Sequence, residues 1–270
     1  LPIASLGEPM PANDRNALMV VGNDFAAISS DNGRTYRYWD PNVELAQPLE
    51  AGGAAASAGF CCDQLAFHID RGDHSTLLWL SQFSEKSGGG NALKLMWFRH
   101  GRDDLVDLNA SSSTVESFAC TMDVSAADIG EAGGNLHYSQ VGETDEVLYF
   151  TTNINRPSPK SAATFIWRIA KDDLDDSDCS VSIPYWIDQK TNIAPVRNGK
   201  DRMVLATQTT VGGGDKLRVY SVEGDSRQMD VTTVNITNFP NRTKEFSCPT
   251  PDGGNPCGFL DSLIQGAFWS

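Results

Sequence analysis

Two short stretches of the chain carry the side chains best suited to chemistry. The first, Phe60-Cys-Cys-Asp-Gln64, places adjacent cysteines beside a carboxylate and an amide, and the second places His137 next to Tyr138. A carboxylate, an imidazole and a phenol can bind sugar hydroxyls and can exchange protons with a substrate. These residue types therefore predict a sugar site or an acid–base centre, provided that the fold brings them together.

Short runs of β-branched and aromatic residues dominate the chain and predict strands. They are bounded by Gly, Asn, Asp and Pro, and no segment has the periodicity of a long amphipathic helix. We therefore expect an all-β fold whose strands position the side chains named above. The predicted strands are ALMVV, FAAIS, TYRYW, QLAFHI, TLLWLSQF, LKLMWF, EVLYFTT, TFIWRIA, RMVLATQTT and KLRVYSV.

The predicted strands recur in a unit. Residues 59–105 and 134–174 each contain a glycine-led strand, an acidic turn, an apolar strand, a polar loop and a strand with a central tryptophan, and both end in Asp-Asp-Leu. A third copy begins near Thr191. The opening segment fits only the second to fourth strands of the unit, and residues 258–270 fit only the first. Four-stranded units repeated in this way are typical of a β-propeller, whereas a sandwich or jelly roll would not explain their similarity.

We predict a single β-propeller domain of four-stranded antiparallel blades over residues 1–270. The approximate units are 1–58, 59–133, 134–190 and 191–257, with 258–270 as a closing strand or the first strand of a next blade. Two forms stay open: four long blades closed by the C-terminal strand, or part of a larger propeller. Four tryptophans are predicted to pack between blades, namely Trp79, Trp97, Trp167 and Trp186, and Trp269 is left unassigned.

The stretch FAAISSDNGRTYRYWD contains Ser29-x-Asp31-x-Gly33-x-Thr35-Tyr36, which resembles the Asp-box, or BNR repeat, of sialidase-like β-propellers. The pattern has a physical basis, because Asp31 can accept hydrogen bonds from backbone N–H groups of its own turn and Gly33 supplies a positive φ at low cost. Tyr36 then re-enters the strand. The resemblance implies that the box closes the hairpin between the third and fourth strands of a blade, on the face away from the ligand. It implies a structural role for these residues.

The resemblance also implies where a ligand would bind. In propellers the first strand of each blade lines the axis, and its start opens onto the ligand-binding face. Carried over unit by unit, this predicts a site whose ligand-binding residues are Asp63, Gln64, His137, Tyr138, Asn192 and Asp261, beside Cys61, Cys62 and Ser262. The candidates for catalysis are Asp63, His137 and Tyr138. The alternative is an axis lined by polar groups and water that binds nothing.

A comparison with the enzymes of the families that this chain resembles does not decide its activity. Sialidases carry an Arg-Ile-Pro element and three arginines that hold a carboxylate, and RNALMV at Arg15 lacks the first of these features. Sialidase activity is therefore not expected. Propeller-type polysaccharide lyases use His and Tyr as acid–base groups, which keeps His137 and Tyr138 as candidates. No phosphate loop, serine-nucleophile elbow or metal-hydrolase signature is found in the sequence.

The six cysteines predict a disulfide framework. Cys61–Cys62 could form a vicinal disulfide, or each could reach a different partner, because successive side chains of a strand point to opposite faces. Cys248–Cys257 would staple the loop PTPDGGNP, and Cys120–Cys179 then pair by elimination. The spacings favour this assignment.

Three N-glycosylation sequons, at Asn109, Asn235 and Asn241, join the even cysteine count in predicting a secreted, extracellular protein. The start of the chain lacks the features of a signal peptide, so an exported protein would be present here in its mature form. No apolar run is long enough to span a bilayer, and membrane insertion is not expected. The oligomeric state is not indicated.

The charge of the chain also limits its partners. Lys plus Arg total 21 and Asp plus Glu total 35, which gives a net charge of −14. An acidic chain without a basic cluster repels nucleic acid and anionic lipid, so we expect neither as a partner.

No cofactor is expected, although Ca²⁺ binding stays open. Three acidic turns, at residues 70–74, 144–146 and 171–178, could offer oxygen ligands to Ca²⁺, but none follows the EF-hand order. Solvated acidic turns are the simpler interpretation.

Three functions follow as hypotheses. The first is a secreted propeller that binds glycans or partner proteins without a catalytic set. The second is a carbohydrate-active enzyme, a polysaccharide lyase or a glycosidase, that uses the axial pocket. The third is a structural subunit of an extracellular assembly. The first is favoured, because no complete catalytic set is found, and fold analogy does not decide activity.

Overall fold

The computed structural model describes residues 10–14, 17–72, 74–101, 119–158, 161–175, 178–208, 216–224, 226 and 228–235. These residues form four antiparallel sheets of four strands each, and within each sheet every strand pairs with the next strand along the chain. Their helical content is a four-residue α-helix, Pro41–Glu44, and a 3-10 helix, Asp172–Asp175. The chain is therefore all-β, as the sequence predicts. No helix in the described ranges has the length and apolar character needed to cross a membrane.

The first sheet contains four strands of its own, which are β1 (Met10–Asp14), β2 (Ala17–Gly22), β3 (Phe25–Ser29) and β4 (Arg37–Trp39). β1 pairs with β2 along its whole length. The prediction that the opening unit lacks its own first strand is therefore wrong. Residues 10–14 read MPAND, and an edge strand of this kind is held by the backbone of its partner rather than by an apolar pattern of its own. Residues 258–270 lie outside the described residues.

Each of the other sheets falls within one predicted unit. The second sheet contains β5 (Phe60–Asp70), β6 (His74–Phe83), β7 (Ala92–Gly101) and β8 (Cys120–Ser125). The third contains β9 (Asn135–Glu143), β10 (Val147–Asn155), β11 (Ala163–Ala170) and β12 (Tyr185–Asp188). The fourth contains β13 (Ala194–Pro195), β14 (Arg202–Gln208), β15 (Lys216–Glu223) and β16 (Asp230–Asn235).

Successive side chains of the middle strands enter different apolar layers. On β6, Leu77 and Trp79 pack in the layer shared with the first sheet, whereas Leu78 and Leu80 pack in the layer shared with the third. This follows from the two-residue period of a strand. Because a sheet covers each face, such strands read as continuous apolar runs rather than as an alternating pattern.

Three apolar layers separate the four sheets, and aromatic rings fill much of each. Trp39, Trp79 and Phe98 stack between the first and second sheets. Phe150 stacks on Trp167 between the second and third sheets, with ring centroids 4.1 Å apart. The tryptophans predicted to lie in the core behave accordingly: Trp79, Trp97 and Trp167 are fully buried, and Trp186 packs at the margin of the third layer.

The first strands of consecutive sheets lie next to one another, β1 beside β5, β5 beside β9 and β9 beside β13. Between β9 and β13 the backbones approach so closely that a Cβ at Gly142 would overlap the Val196 carbonyl oxygen and lie 2.8 Å from Pro195 Cβ. This succession of first strands brings the distant sequence segments of the candidate site together.

The turn between β3 and β4 is held by two side chains. Ser29 Oγ accepts from Gly33 N at 2.8 Å and donates to Asp31 Oδ1 at 2.8 Å. Asp31 Oδ1 accepts from Thr35 N at 2.8 Å and Arg34 N at 3.0 Å, and its Oδ2 accepts from the Thr35 hydroxyl at 2.7 Å. These bonds, that from the Thr35 N–H most of all, lower the pKa of Asp31 to about 2. The turn therefore joins the third and fourth strands of its sheet through an ionised carboxylate.

A positive φ is needed at one position of this turn. Gly33 has φ +78°, and a Cβ there would lie 2.9 Å from the Tyr36 hydroxyl oxygen and 3.1 Å from Leu18 Cδ1. Glycine therefore satisfies both the backbone conformation and the packing of Tyr36 against the turn.

Candidate binding site on the first strands

The first strand of the second sheet is distorted at the Cys-Cys-Asp sequence. Phe60 pairs with Phe83 and Gln64 with Ser81, so β5 advances four residues while β6 advances two. The extra residues form a bulge, a feature that re-aims side chains in many sheets. Cys61 and Cys62 are joined in a disulfide inside this bulge. The bulge and the vicinal disulfide together set the direction of Asp63.

The first strand of the third sheet is also distorted, and at the corresponding place. Gln140 pairs with Thr151 but His137 pairs with Asn153, so β9 carries one extra residue. Tyr138 lies in this bulge with φ +55°, a conformation that side chains with a Cβ rarely adopt. The residue is 58% exposed. The bulge holds Tyr138 outward from the sheet.

The two bulges meet through a hydrogen bond. Tyr138 N donates to Asp63 Oδ2 at 3.1 Å. Asp63 itself is partly buried. Residues 75 positions apart thus form one surface.

The start of the fourth sheet joins the same surface on its other side. Asn153 lies opposite His137 in the β9–β10 register, and its Oδ1 accepts from Asn192 N at 2.8 Å. The Asn153 amide nitrogen donates to Asn192 Oδ1 at 2.8 Å. Asn192, like Tyr138, has φ +55°. Asp63, His137, Tyr138 and Asn192, with the Cys61–Cys62 disulfide, are called the first-strand cluster below.

His137 is the group in the cluster with an unused hydrogen-bonding atom. Its ring lies edge-on to Tyr138, with centroids 5.8 Å apart and planes at 82°. Its Nε2 is buried and has no hydrogen-bond partner within the described part of the chain. Buried polar atoms usually have partners, and exceptions mark sites where a water or a ligand completes the contact.

Gln64 does not belong to this surface. Its amide nitrogen donates to Gly22 O in the first sheet, and its Oε1 accepts from Trp79 Nε1 at 2.5 Å. Because successive side chains of a strand point to opposite faces, Asp63 reaches forward to the third sheet and Gln64 reaches back to the first. The placement of Gln64 indicates a role in joining the sheets.

Two residues that the sequence analysis missed support the cluster. Asn91 accepts from Leu136 N at 2.6 Å and donates to Leu136 O at 2.9 Å, which fixes β9 one residue before His137. The buried Gln82 donates to Cys62 Sγ at 3.6 Å, and its Oε1 has no partner within the described residues. Neither an asparagine after three glycines nor a glutamine in an apolar strand gives a sequence signal for such a role.

The structure describes only some of the remaining residues that the sequence analysis named, which include cysteines, glycosylation sequons and one site residue. The structure joins Cys120 to Cys179, which links β8 to the segment after the 3-10 helix of the third sheet. Asn235 is exposed at the end of β16, while the rest of its sequon lies outside the described residues. The other residues named from the sequence that fall outside the described residues are Asn109, Asn241, Asp261, Ser262, Trp269 and Cys248–Cys257.

Two of the three acidic turns considered for Ca²⁺, at residues 70–74 and 171–178, contact each other. Arg71 pairs with Asp172, and His74 Nε2 lies 2.8 Å from Asp175 Oδ1, so these turns join the second and third sheets. Among the residues that the structure describes, no group of three or more His, Cys, Asp or Glu side chains is arranged to hold a metal ion.

A shallow pocket of about 310 Å³ lies along the outer strand of the third sheet, lined by residues 182–186. Its lining has hydroxyl and apolar groups but neither a carboxylate nor an imidazole. We place the candidate site at the first-strand cluster for this reason, because the chemically useful groups converge there.

The similarity found in comparisons with known proteins is to solved structures. No protein-family model and no curated protein matches this chain. Among solved structures, a mutant of Trypanosoma rangeli sialidase displaying trans-sialidase activity is similar, with a TM-score of 0.39 and 10% sequence identity. The similarity covers 84% of this chain and 37% of that chain, so this chain spans little more than a third of that protein's length.

Proposed function

We propose that this protein is an extracellular β-propeller that binds glycans through the first-strand cluster. One observation carries the proposal: the first strands of two neighbouring sheets bulge at the same place and are joined by the hydrogen bond between Asp63 and Tyr138 N. Strained backbone of this kind persists where the surrounding structure enforces it and is common at binding sites. A carboxylate and an exposed aromatic residue are suited to sugar hydroxyls and to the apolar face of a sugar ring.

The propeller itself is supported by the order of the sheets. Four consecutive sheets share their faces in chain order, and their first strands lie side by side. The hydrogen-bonded turn from Ser29 to Thr35 lies between the third and fourth strands of its sheet, the place that an Asp-box occupies. We propose that this turn is an Asp-box with a structural role.

An extracellular location is supported by the disulfides. The four cysteines within the described residues are all paired. Such pairs persist in oxidising compartments. Mass spectrometry of protein secreted by a eukaryotic host should show both disulfides and a glycan on Asn235. A protein that is active only with reduced cysteines would contradict this location.

The test of the proposed function is retention on a glycan array. We expect Tyr138→Ala and Asp63→Asn each to reduce retention at least about tenfold, because each removes one of the contacts offered to the sugar. Tyr38→Ala is the matched control, since Tyr38 on β4 is exposed to 62% and lies in the first sheet. Asp201→Asn is the matched control for Asp63→Asn, because it removes a carboxylate from an exposed residue of the fourth sheet's turn.

Circular dichroism and the melting temperature show whether each variant is folded. Equal retention by wild type, Tyr138→Ala and Asp63→Asn would place binding elsewhere. Retention of a protein partner but of no glycan, abolished by the same variants, would keep the site and change its ligand to a protein.

A second candidate function, that of a carbohydrate-active enzyme, is favoured by one observation. His137 and Tyr138 lie side by side, and the Nε2 of His137 is unpaired within the described residues. A base and a phenol in this arrangement suit a lyase reaction. Release of unsaturated sugar from a bound polysaccharide, lost in His137→Ala, would establish it. Binding without release over long incubation would leave the protein a binding module.

A further inference from the structure

We infer that the Cys61–Cys62 disulfide is a reversible redox switch that controls the position of Asp63 and, through it, the first-strand cluster. In the oxidised form Asp63 holds the backbone of Tyr138, and in the dithiol form this contact is released. The release of the contact follows from the geometry of β5, whereas its effect on glycan retention rests on the proposed function.

The disulfide lies where a change in the backbone reaches the cluster directly. Between Phe60 and Gln64 the strand carries two extra residues relative to β6, and both cysteines lie in this interval. Asp63 follows Cys62 at once, and its Oδ2 accepts from Tyr138 N at 3.1 Å. Successive side chains of a strand point to opposite faces, so a bond between neighbours holds the backbone out of regular strand geometry. Opening the bond removes this constraint immediately before Asp63.

A buried glutamine gives the dithiol form a partner of its own. The Gln82 amide nitrogen donates to Cys62 Sγ at 3.6 Å, and its Oε1 is buried without a partner in the described part of the chain. A disulfide sulfur can only accept a hydrogen bond, whereas a thiol can also donate one. Once the Cys62 thiol forms, it can donate to Gln82 Oε1 after rotation of the amide, which satisfies a buried acceptor. The surroundings of the disulfide therefore suit both redox states.

The Cys120–Cys179 disulfide is built differently and should stay oxidised when Cys61–Cys62 is reduced. It joins residues with a sequence separation of 59, and both cysteines pack against the apolar layer between the second and third sheets. A disulfide that closes a long loop stabilises the folded chain, and by linkage the fold resists its reduction to the same extent. Cys61–Cys62 has a sequence separation of 1, so the fold gives it little such protection. A dithiol can therefore reduce it in the folded protein.

The reductant is a dithiol, which can form a disulfide within itself. One of its thiolates attacks a sulfur of Cys61–Cys62, which breaks the S–S bond, forms a mixed disulfide and releases the other cysteine as a thiolate that takes up a proton. The second thiol of the reductant then attacks the mixed disulfide and releases the second cysteine, which is protonated in turn. Two electrons and two protons pass to the protein, and the reductant leaves as a disulfide. A disulfide oxidant reverses the step.

The experiment titrates the wild-type protein with dithiothreitol, traps the thiols with iodoacetamide and assigns each modified cysteine by mass spectrometry of peptides. We expect Cys61 and Cys62 to be half reduced at a dithiothreitol concentration at least about tenfold lower than Cys120 and Cys179. At that concentration hydrogen exchange of the Tyr138 amide, read by NMR, should accelerate at least about tenfold, because the amide loses the Asp63 acceptor. Glycan retention should fall by a similar factor. Removal of dithiothreitol and addition of oxidised glutathione should restore both.

Cys61→Ala/Cys62→Ala is the matched control, and its Tyr138 amide should exchange fast with and without dithiothreitol. Circular dichroism shows whether the wild-type protein stays folded during the titration. Tyr138 exchange that is unchanged after selective reduction of Cys61–Cys62 would overturn the inference, and so would reduction of both disulfides together as the protein unfolds. If glycan were retained in both redox states with unchanged exchange, the proposed function would stand without the switch. Faster exchange in a protein whose oxidised form binds no glycan would uphold the switch and overturn the proposed function.

Discussion

Asp31 shows how one ionised side chain can hold a turn. In the folded protein its pKa lies near 2, whereas the ordinary value of 3.8 applies to the unfolded chain. The stabilisation is therefore complete above about pH 4 and is lost as the pH falls through about 2. We expect the melting temperature of wild type to fall more steeply between about pH 5 and pH 2 than that of Asp31→Asn.

Other carboxylates also titrate in this range, but they are shared by both proteins and cancel in the comparison. Asp201→Asn should follow the wild-type curve. Parallel melting curves for wild type and Asp31→Asn would show that the charge of Asp31 contributes nothing to the turn.

Gln64 and Asp63 are neighbours with opposite expected effects. Gln64→Ala leaves Trp79 Nε1 and Gly22 O without their partner in a buried interface. An unsatisfied buried group costs about 1–3 kcal/mol, so urea unfolding should show a loss of this size. Asp63→Asn should instead lose glycan retention at nearly constant stability. A Gln64→Ala protein that is fully stable but does not bind would return Gln64 to the site.

The sequence predicts part of this site for a clear physical reason. Repeat register aligned Asp63 with His137, and the structure joins their strands. The sequence did not show that Asp63 belongs to the site and Gln64 does not. The alternation of a strand places neighbouring side chains on opposite faces, but it does not tell which of the two faces the site. Asn91 and Asn153 position the cluster through hydrogen bonds to the backbone of a neighbouring sheet. Such bonds depend on how closely the sheets pack, which cannot be predicted from the residue type alone.

The two described disulfides should differ in what they stabilise. Cys120–Cys179 spans a sequence separation of 59, and closing such a loop contributes about 4 kcal/mol in the chain-entropy model. Replacing both cysteines by alanine should lower the unfolding free energy by about 2–4 kcal/mol. Cys61–Cys62 closes almost no loop, so its double alanine variant should lose little stability. We expect that variant to bind glycan more weakly, because the bulge that directs Asp63 is freed.

Calorimetry and the glycan array together separate these effects. If the Cys61→Ala/Cys62→Ala protein were the less stable of the two, the vicinal disulfide would be a structural staple. If it bound as wild type does, Asp63 would be positioned by the bulge without help from the disulfide.

The strands differ in how well their sequences predict them. The middle strands β6, β7, β10 and β11 read as apolar runs because both faces are covered, and the sequence predicts all of them. The outer strands β8, β12 and β16 were not among the predicted strands. β16 is exposed along its whole length and reads DVTTVN, so it is held by backbone pairing with β15. Backbone pairing leaves little trace in side-chain patterns.

The close packing of β9 against β13 leads to a further prediction. Gly142→Ala would place a methyl group against the Val196 carbonyl and Pro195, so β9 and β13 would have to separate. Overpacking of this kind costs about 1–3 kcal/mol. Gly52→Ala is the matched control, because a Cβ there has nothing within 4 Å, and its effect should stay within about 0.5 kcal/mol. Urea unfolding of both variants measures the difference. Equal stability would mean that the fourth sheet can shift without penalty.

Side chains of the second and third sheets alternate between two apolar layers. This has a consequence for the exchange of chain segments between proteins by recombination. Removing either sheet would strip a wall from two layers at once, so a transplanted sheet would carry two uncovered apolar faces into its new host. A surface loop can be replaced without disturbing either layer. Recombination can therefore reshape this protein through its loops, while its sheets are inherited together.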